Sequence, residues 1–199
     1  MEAFSDGVFS IAATLLVLDI ALRPPGTALE QLRHAWPAYL GYLISFLTIG
    51  AAWLGHSAVT DRLLRADSLL LRINLLLLLV IAFLPFPTKL IAEGIHDTSG
   101  ERVFVTLYGL TLLSIRLLGF ALDAYARREH LYSTEHADEE SQEELQADRG
   151  TLVPVIIAYG IAILVGLALP TLAVVLYLAL AVFIVVPFGH IRDVLFKRS

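Results

Sequence analysis

Six stretches of this 199-residue chain are long and apolar enough, or nearly so, to cross a lipid bilayer: residues 4–22, 36–59, 68–92, 103–126, 152–169 and 171–191. A spanning helix needs ~20 mostly apolar residues to cover ~30 Å of hydrocarbon. Within that layer backbone polar groups find partners only in the protein, so each stretch is expected to be helical. The expected fold is an all-α membrane protein, with one six-helix transmembrane domain over residues 1–199. The fifth stretch is at the lower limit of length. Pro170 alone separates it from the sixth, which predicts a tight helical hairpin, because proline in the first turn of a helix removes no backbone bond. The first stretch does not read as a cleaved leader. Acidic Glu2 and Asp6 stand where a basic segment belongs, and Arg23, Pro24 and Pro25 follow.

Lys and Arg in the connecting segments set the expected orientation. With both termini in the cytoplasm, the inner segments hold Arg62, Arg65, Arg127, Arg128, Arg149, Arg192, Lys197 and Arg198. The outer segments hold only Arg23, Arg33, Lys89 and Arg102. The longest polar connection, about residues 127–150, is then a cytoplasmic loop rich in acid: Glu135, Asp138, Glu139, Glu140, Glu143, Glu144 and Asp148. Such runs are ordinarily solvated surface or a helical extension of the preceding span. A cation-attracting rim is the sharper reading.

Several classes of function are excluded. At 57% hydrophobic and 17% charged, the chain departs from the ~45–50% and ~25% of a soluble domain. A net charge of −5 argues against nucleic acid as a partner. No cysteine is present, so disulfides and thiolate chemistry are out. No P-loop, dinucleotide fingerprint, zinc-protease motif or nucleophile elbow occurs, and the six histidines are scattered. The expectation is no enzyme, no cofactor and no bound metal. The Thr-Val-Gly-Tyr-Gly filter of voltage-gated potassium channels is also missing, and the fifth and sixth spans leave no room for a pore loop.

The first span repays a helical projection at about 100° per residue. Phe4, Gly7, Ile11, Leu15, Leu18 and Leu22 fall within about 40° of one direction, with Thr14 at the edge of the stripe. Asp6 lies about 140° away, close to Ala13. The stripe is expected to face lipid or another helix. Ionisable residues within spans are functional candidates by default. Asp6, His56 and Asn74 all fall at one membrane level in this topology, so a single hydrogen-bonded network among them is geometrically allowed. Arg116 lies near the middle of the fourth span, and Asp123 shares its face two turns on. Arg116 is expected to be paired within the bundle. Asp19 stands at the outer end of the charge-free run 7–18.

The run Phe4-Ser5-Asp6-Gly7-Val8-Phe9-Ser10-Ile11-Ala12-Ala13-Thr14-Leu15-Leu16-Val17-Leu18-Asp19-Ile20 resembles the signature helix of the transmembrane protein 175 family, potassium channels of bacteria, archaea and animal endosomes and lysosomes. Trp53 and His56, then Arg72-Ile73-Asn74 and Phe83-Leu84-Pro85-Phe86-Pro87-Thr88, extend the resemblance. The family pattern also has an arginine four residues before the phenylalanine, a position that falls ahead of Met1.

The resemblance implies a single-repeat prokaryotic member in the plasma membrane. It further implies a homotetramer in the bilayer, with the first helix lining a potassium pore that has no carbonyl filter. Ile11, Leu15 and Leu18 would form the constriction and gate, and Thr14 would contribute to potassium preference. Ser5, Asp6, Trp53, His56 and Asn74 would form the structural hydrogen-bond network. The only ion implied is permeant potassium. The competing expectations are a proton- or cation-coupled transporter relayed by Asp6, His56 or Arg116, and a non-transporting scaffold that binds a partner through its acidic loop.

Overall fold

The computed structural model describes residues 1–18, 20, 27–94, 100–132 and 142–185. The described chain is all-helical apart from connections: α1 (Glu2–Leu18), α2 (Ala28–His34), α3 (Trp36–Arg62), α4 (Ser68–Phe83), α5 (Pro85–Gly94), α6 (Glu101–Arg128), α7 (Gln142–Ala168) and α8 (Pro170–Val185).

Local chemistry sets most of these ends. Thr27 and Glu30 form a reciprocal capping box at the start of α2. Hydrogen bonds from the Thr27 backbone and side chain hold the Glu30 carboxyl below its usual range. Pro37 sits in the first turn of α3. The Asp67 carboxylate accepts the Leu70 N–H at 2.8 Å and caps α4. The third stretch is interrupted at Leu84, because Pro85 lacks an N–H and crowds the preceding turn. Leu84 still donates to Val80 and Ile81, so α4 and α5 remain one kinked rod over Ser68–Glu93. Helix α6 ends in a left-handed residue, His130 at φ 50°. The Leu131 N–H returns to the Ala126 carbonyl at 3.0 Å and that of His130 to Arg127 at 3.2 Å, which is the Schellman pattern.

Among the described residues, three helical segments are long and apolar enough to cross a bilayer: Trp36–Arg62, Ser68–Glu93 and Glu101–Arg128. Two apolar stretches, Val153–Ala168 and Pro170–Val185, are shorter, and α1 has 17 residues. The six expected spans thus correspond to three full-length segments and three shorter helices. Asp19, Leu22, Arg23, Pro24 and Pro25, and the end of the sixth stretch from 186 onward with Arg192, Lys197 and Arg198, lie outside the described residues.

The polar connection at 127–150 needs correction as a loop. Helix α6 runs to Arg128, and α7 already begins at Gln142, ten residues before the expected span. Glutamate, glutamine, alanine and leucine are good helix formers, so residues 142–147 extend the helix ahead of the apolar stretch. Glu143, Glu144 and Asp148 therefore stand on α7, while Glu135 and Asp138 to Glu140 lie outside the described residues. The hairpin at Pro170 is as expected, with Leu169 donating to Val165 at 2.7 Å on one side and Ala173 to Leu169 at 3.1 Å on the other.

Helix α3 crosses the bundle between α5, α6 and α8, while α6 packs on α4, α5, α7 and α8. Three fully buried tyrosines mark the centre: Tyr108 (α6), Tyr159 (α7) and Tyr177 (α8). Tyr108 meets Tyr177 edge-on at 5.8 Å. Gly109 lets α8 approach, since a Cβ there would strike the Tyr177 hydroxyl and lie 2.8 Å from Ile163 Cγ1. A hydroxyl chain ties α6, α3 and α5 together. Tyr108 donates to Ser45 (2.8 Å), Ser45 to Thr88 (2.7 Å) and Thr88 to the Leu84 carbonyl (2.8 Å). Hydroxyls that cannot reach water are satisfied this way within the protein.

The first helix and its anchors

Helix α1 packs on α3 and α4 and has two unlike faces. Ser5, Phe9, Ala12 and Leu16 recur at spacings of three and four, and all are buried. The opposite face carries Ile11 at 61% exposure, Leu15 at 43% and Leu18 at 73%, with Phe4 also exposed. Among the described residues of one chain nothing covers this apolar ridge. Thr14 lies exposed beside it, its hydroxyl donating to the Ile11 carbonyl at 2.9 Å. That bond uses the Thr14 proton and leaves the oxygen free to accept.

Two separate arms hold the N-terminal end of α1. In the buried arm the Asn74 amide nitrogen donates to Ser5 Oγ at 3.2 Å, and Ser5 donates to the Met1 carbonyl at 3.1 Å. With its nitrogen committed to Ser5, Asn74 turns Oδ1 toward His56 Nε2, 2.8 Å away. Nε2 must therefore carry the proton. Phe9 lies against the imidazole, with ring centroids 5.4 Å apart. In the exposed arm the Trp53 indole N–H donates to Asp6 Oδ1 at 2.9 Å.

Asp6 thus makes no hydrogen bond to His56 or Asn74; the single network allowed by the spacing is two arms on different flanks of α1. Phe9, whose ring covers the imidazole, escaped the sequence reading. Its signal was available, since it lies four positions from Ser5 and three from Ala12 in a helix whose buried face repeats at those spacings.

The expected pairing of Arg116 within the bundle is not seen at Nε or Nη2 among the described residues, and Asp123 on the same face is engaged elsewhere. It accepts Arg127 Nε at 2.8 Å and the Tyr132 hydroxyl at 2.6 Å. Arg116 Nε and Nη2 and the Tyr159 hydroxyl are buried without a hydrogen-bond partner among the described residues. Tyr159 lies within electrostatic reach of the guanidinium but makes no bond of standard geometry to it.

At the same end of the bundle as the α1 anchors, a latch absent from the sequence reading joins the α3–α4 connection to the segment after α6. The Leu64 N–H donates to the Leu131 carbonyl at 2.9 Å, beside a Leu63–Tyr132 bridge. The Tyr125 hydroxyl donates to Asp67 Oδ2 at 2.6 Å. That bond, then the Leu70 N–H, holds the Asp67 carboxyl below its usual range. Burial and the Asp123 carboxylate push the Tyr132 phenol up. Among the described residues no group of His, Asp and Glu stands close enough to hold a metal ion.

Apolar rods joined by a proline hairpin, a core sealed by hydroxyl chains and a pinned but uncovered first helix define a polytopic α-helical membrane protein. The family profile described as "Endosomal/lysosomal potassium channel TMEM175" matches residues 1–85. A crystal structure of a lysosomal potassium-selective channel TMEM175 homolog from Chamaesiphon minutus superposes with a TM-score of 0.74 at 30% identity, covering 92% of this chain and 93% of that one. This chain belongs to the TMEM175 family. A protein named as a potassium channel in Streptomyces collinus is 41% identical over 125 residues, 61% of each chain. The human endosomal/lysosomal proton channel TMEM175 is 34% identical over 129 residues, 58% of this chain and 25% of that one. The matches span about 60% of the length of the bacterial potassium channels from Streptomyces and Chamaesiphon.

Proposed function

We propose that this chain forms a potassium-permeable channel in a prokaryotic plasma membrane, with both termini cytoplasmic and four copies arranged around one axis. The α1 ridge lines the pore. The observation that carries this reading is the contrast along α1: Ile11, Leu15 and Leu18 are uncovered while Leu16 is fully buried. A closed ring gives such a ridge a partner, namely itself. The names of the bacterial relatives support potassium as the permeant ion.

Rings of Ile11, Leu15 and Leu18 close the pathway by excluding water, as narrow apolar throats do. Opening moves α1 so that the rings widen and Thr14 faces the axis. Selectivity then rests on partial dehydration at the throat and on the Thr14 oxygen, with no carbonyl cage. The Ser5–Asn74–His56 and Asp6–Trp53 arms fix the end of α1 against α4 and α3, so that the ridge keeps its direction. Potassium is substrate here, and no resident cofactor is invoked.

The test is potassium flux into liposomes loaded with purified protein, with Ile11→Ala and Leu18→Ala raising basal flux and Thr14→Ala changing the potassium-to-sodium ratio. Unchanged flux and selectivity in every variant at Ile11, Thr14, Leu15 and Leu18 would refute the reading. A second reading, proton permeation or proton-coupled transport, is favoured by the naming of the animal relatives as proton channels. Saturable flux coupled to a pH gradient, with no single-channel events, would favour a coupled transporter.

A further inference from the structure

Arg116 on α6 and Tyr159 on α7 come within electrostatic reach of each other where the two helices pack together. Both are left with unmet hydrogen-bonding capacity. Arg116 Nε and Nη2 and the Tyr159 hydroxyl are buried without a hydrogen-bond partner among the described residues. Arg116 stands deep in its span, about 20 Å from the outer end of the 103–126 stretch and about 15 Å from the inner end. Lipid headgroups are out of reach of a side chain at that depth. A guanidinium does not give up its proton in a protein, so its charge is permanent.

The surroundings offer no counter-charge. Asp123, two turns along α6, already accepts Arg127 and Tyr132. Asp148, the nearest acidic residue before Tyr159 on α7, lies about 16 Å from it along the helix axis. No Asp or Glu occurs between residues 149 and 192. Nor can the phenol turn elsewhere for an acceptor. The Tyr159 ring is fully buried and stacks on Tyr177, with centroids 6.4 Å apart and planes 23° apart. Tyr177 commits its own proton to the Val105 carbonyl at 3.4 Å.

The missing group follows from what is in surplus. A guanidinium has only donors, and a phenol that accepts from it still has a proton to give. Water could take these bonds, but it would leave the charge uncompensated, which is the costlier fault inside a membrane. An anion answers both needs. Leu112, one turn before Arg116, and Ala162, one turn after Tyr159, are buried and apolar. Such walls favour a small monatomic ion over a phosphate, whose other oxygens would find no donors.

We propose that Arg116 and Tyr159 hold a small monovalent anion of the chloride type between α6 and α7. The ion neutralises the buried guanidinium and ties the two helices together as a structural counter-ion. The site does not depend on the pore reading, because it lies within one protomer and α1 packs on α3 and α4.

The full chain is purified in detergent, and thermal unfolding is followed by circular dichroism at fixed ionic strength and fixed potassium, with chloride replaced stepwise by gluconate. The melting midpoint is expected to rise with the logarithm of chloride concentration, as for any ligand that binds only the folded state. Bromide should substitute for chloride. Arg116→Leu and Arg116→Gln should each abolish the response, and Tyr159→Phe should raise the half-saturating chloride concentration at least threefold. Crystals grown in bromide should show anomalous scattering between Arg116 and Tyr159. Equal midpoints of the parent in chloride and in gluconate would overturn the proposal. So would a chloride response of parental size in either charge-free variant, or bromide scattering that is absent from the Arg116–Tyr159 pair.

Discussion

Asn74 bonds Ser5 at 3.2 Å across 69 positions of sequence, and its other amide atom meets His56 at 2.8 Å. One side chain on α4 thereby fixes the buried ends of α1 and α3 together. Ser5 is fully buried, and Asn74 and His56 nearly so, so water cannot replace a lost partner easily.

Asn74→Leu should therefore cost stability out of proportion to its volume change. It leaves the His56 Nε2–H without an acceptor, whereas Ser5 keeps its bond to the Met1 carbonyl. A buried orphan costs about 1–3 kcal/mol. Bonds between membrane helices measure lower, about 0.6 kcal/mol on average and at most ~1.7. A loss of about 1–2 kcal/mol is expected in denaturant-monitored unfolding in micelles. A double-mutant cycle with Ser5→Ala should give a coupling near 0.6 kcal/mol. Zero coupling would mean that the Asn74–Ser5 bond carries no stability.

The two faces of α1 should respond differently to truncation. Leu16 is fully buried and Ile11 is 61% exposed within one chain. Leu16→Ala should destabilise the fold by about 2–5 kcal/mol, the usual range for a buried leucine. Ile11→Ala should leave the protomer's unfolding curve within about 0.5 kcal/mol of the parent while changing ion flux. Equal loss of stability in both variants would contradict the two-faced character of α1.

Much of α1 was legible because a 3.6-residue period separates faces without any knowledge of partners. The Ile11–Leu18 stripe and the divergence of Asp6 toward Ala13 both follow from counting, and Asp6 and Ala13 do line one groove between α1 and α3. What counting could not supply is the partner list. Arg116 and Asp123 share a helical face, yet Arg127 lies one turn from Asp123, and the Schellman turn at His130 brings Tyr132 back onto it. Tyr108, Tyr159 and Tyr177 sit in apolar runs where tyrosine ordinarily marks an interface, so their role as a buried core needed the packing of α6, α7 and α8. The break at Leu84 was present in the sequence as Pro85 and Pro87, inside what reads by hydropathy as one span.

Gly109 should not tolerate a side chain. Its Cβ would overlap the Tyr177 ring and hydroxyl, and Tyr177 is a rigid, fully buried side chain with little room to turn aside. Overpacking of this kind costs about 1–3 kcal/mol. Gly109→Ala should lower thermal stability, and adding Tyr177→Phe should recover part of the loss, because the hydroxyl is the nearest clashing atom. No recovery would locate the strain in Ile163 instead.

His130 holds a conformation that costs a residue with a Cβ about 1–2 kcal/mol. Its side chain is exposed, so His130→Gly removes the penalty without opening a cavity. The gain is offset in part by the greater freedom of glycine in the unfolded chain. A net stabilisation of about 0.5–1 kcal/mol is expected by thermal unfolding. A destabilised His130→Gly would show that the imidazole itself holds the Schellman turn.

The Asp67 latch should release in acid. The Tyr125 hydroxyl and the Leu70 N–H lower the Asp67 pKa in the folded protein. A carboxyl depressed on folding contributes stability above its unfolded value of about 3.9, and loses it as pH falls through the lower folded value. The latch should therefore be constant from neutral pH down to about pH 4 and weaken below that. Tyr125→Phe removes the largest cause of the shift, so in that variant the loss should be smaller and complete at a higher pH, closer to about 3.9. The measurement is amide exchange at Leu70 and Leu64 as a function of pH, corrected for intrinsic rates. Leu70 donates to Asp67 itself and Leu64 to the neighbouring Leu131 carbonyl. Protection at Leu70 that falls in acid before protection at Leu64 would place the first opening at the α4 cap. Identical pH profiles in parent and Tyr125→Phe would show that the Tyr125–Asp67 bond does not set the Asp67 titration.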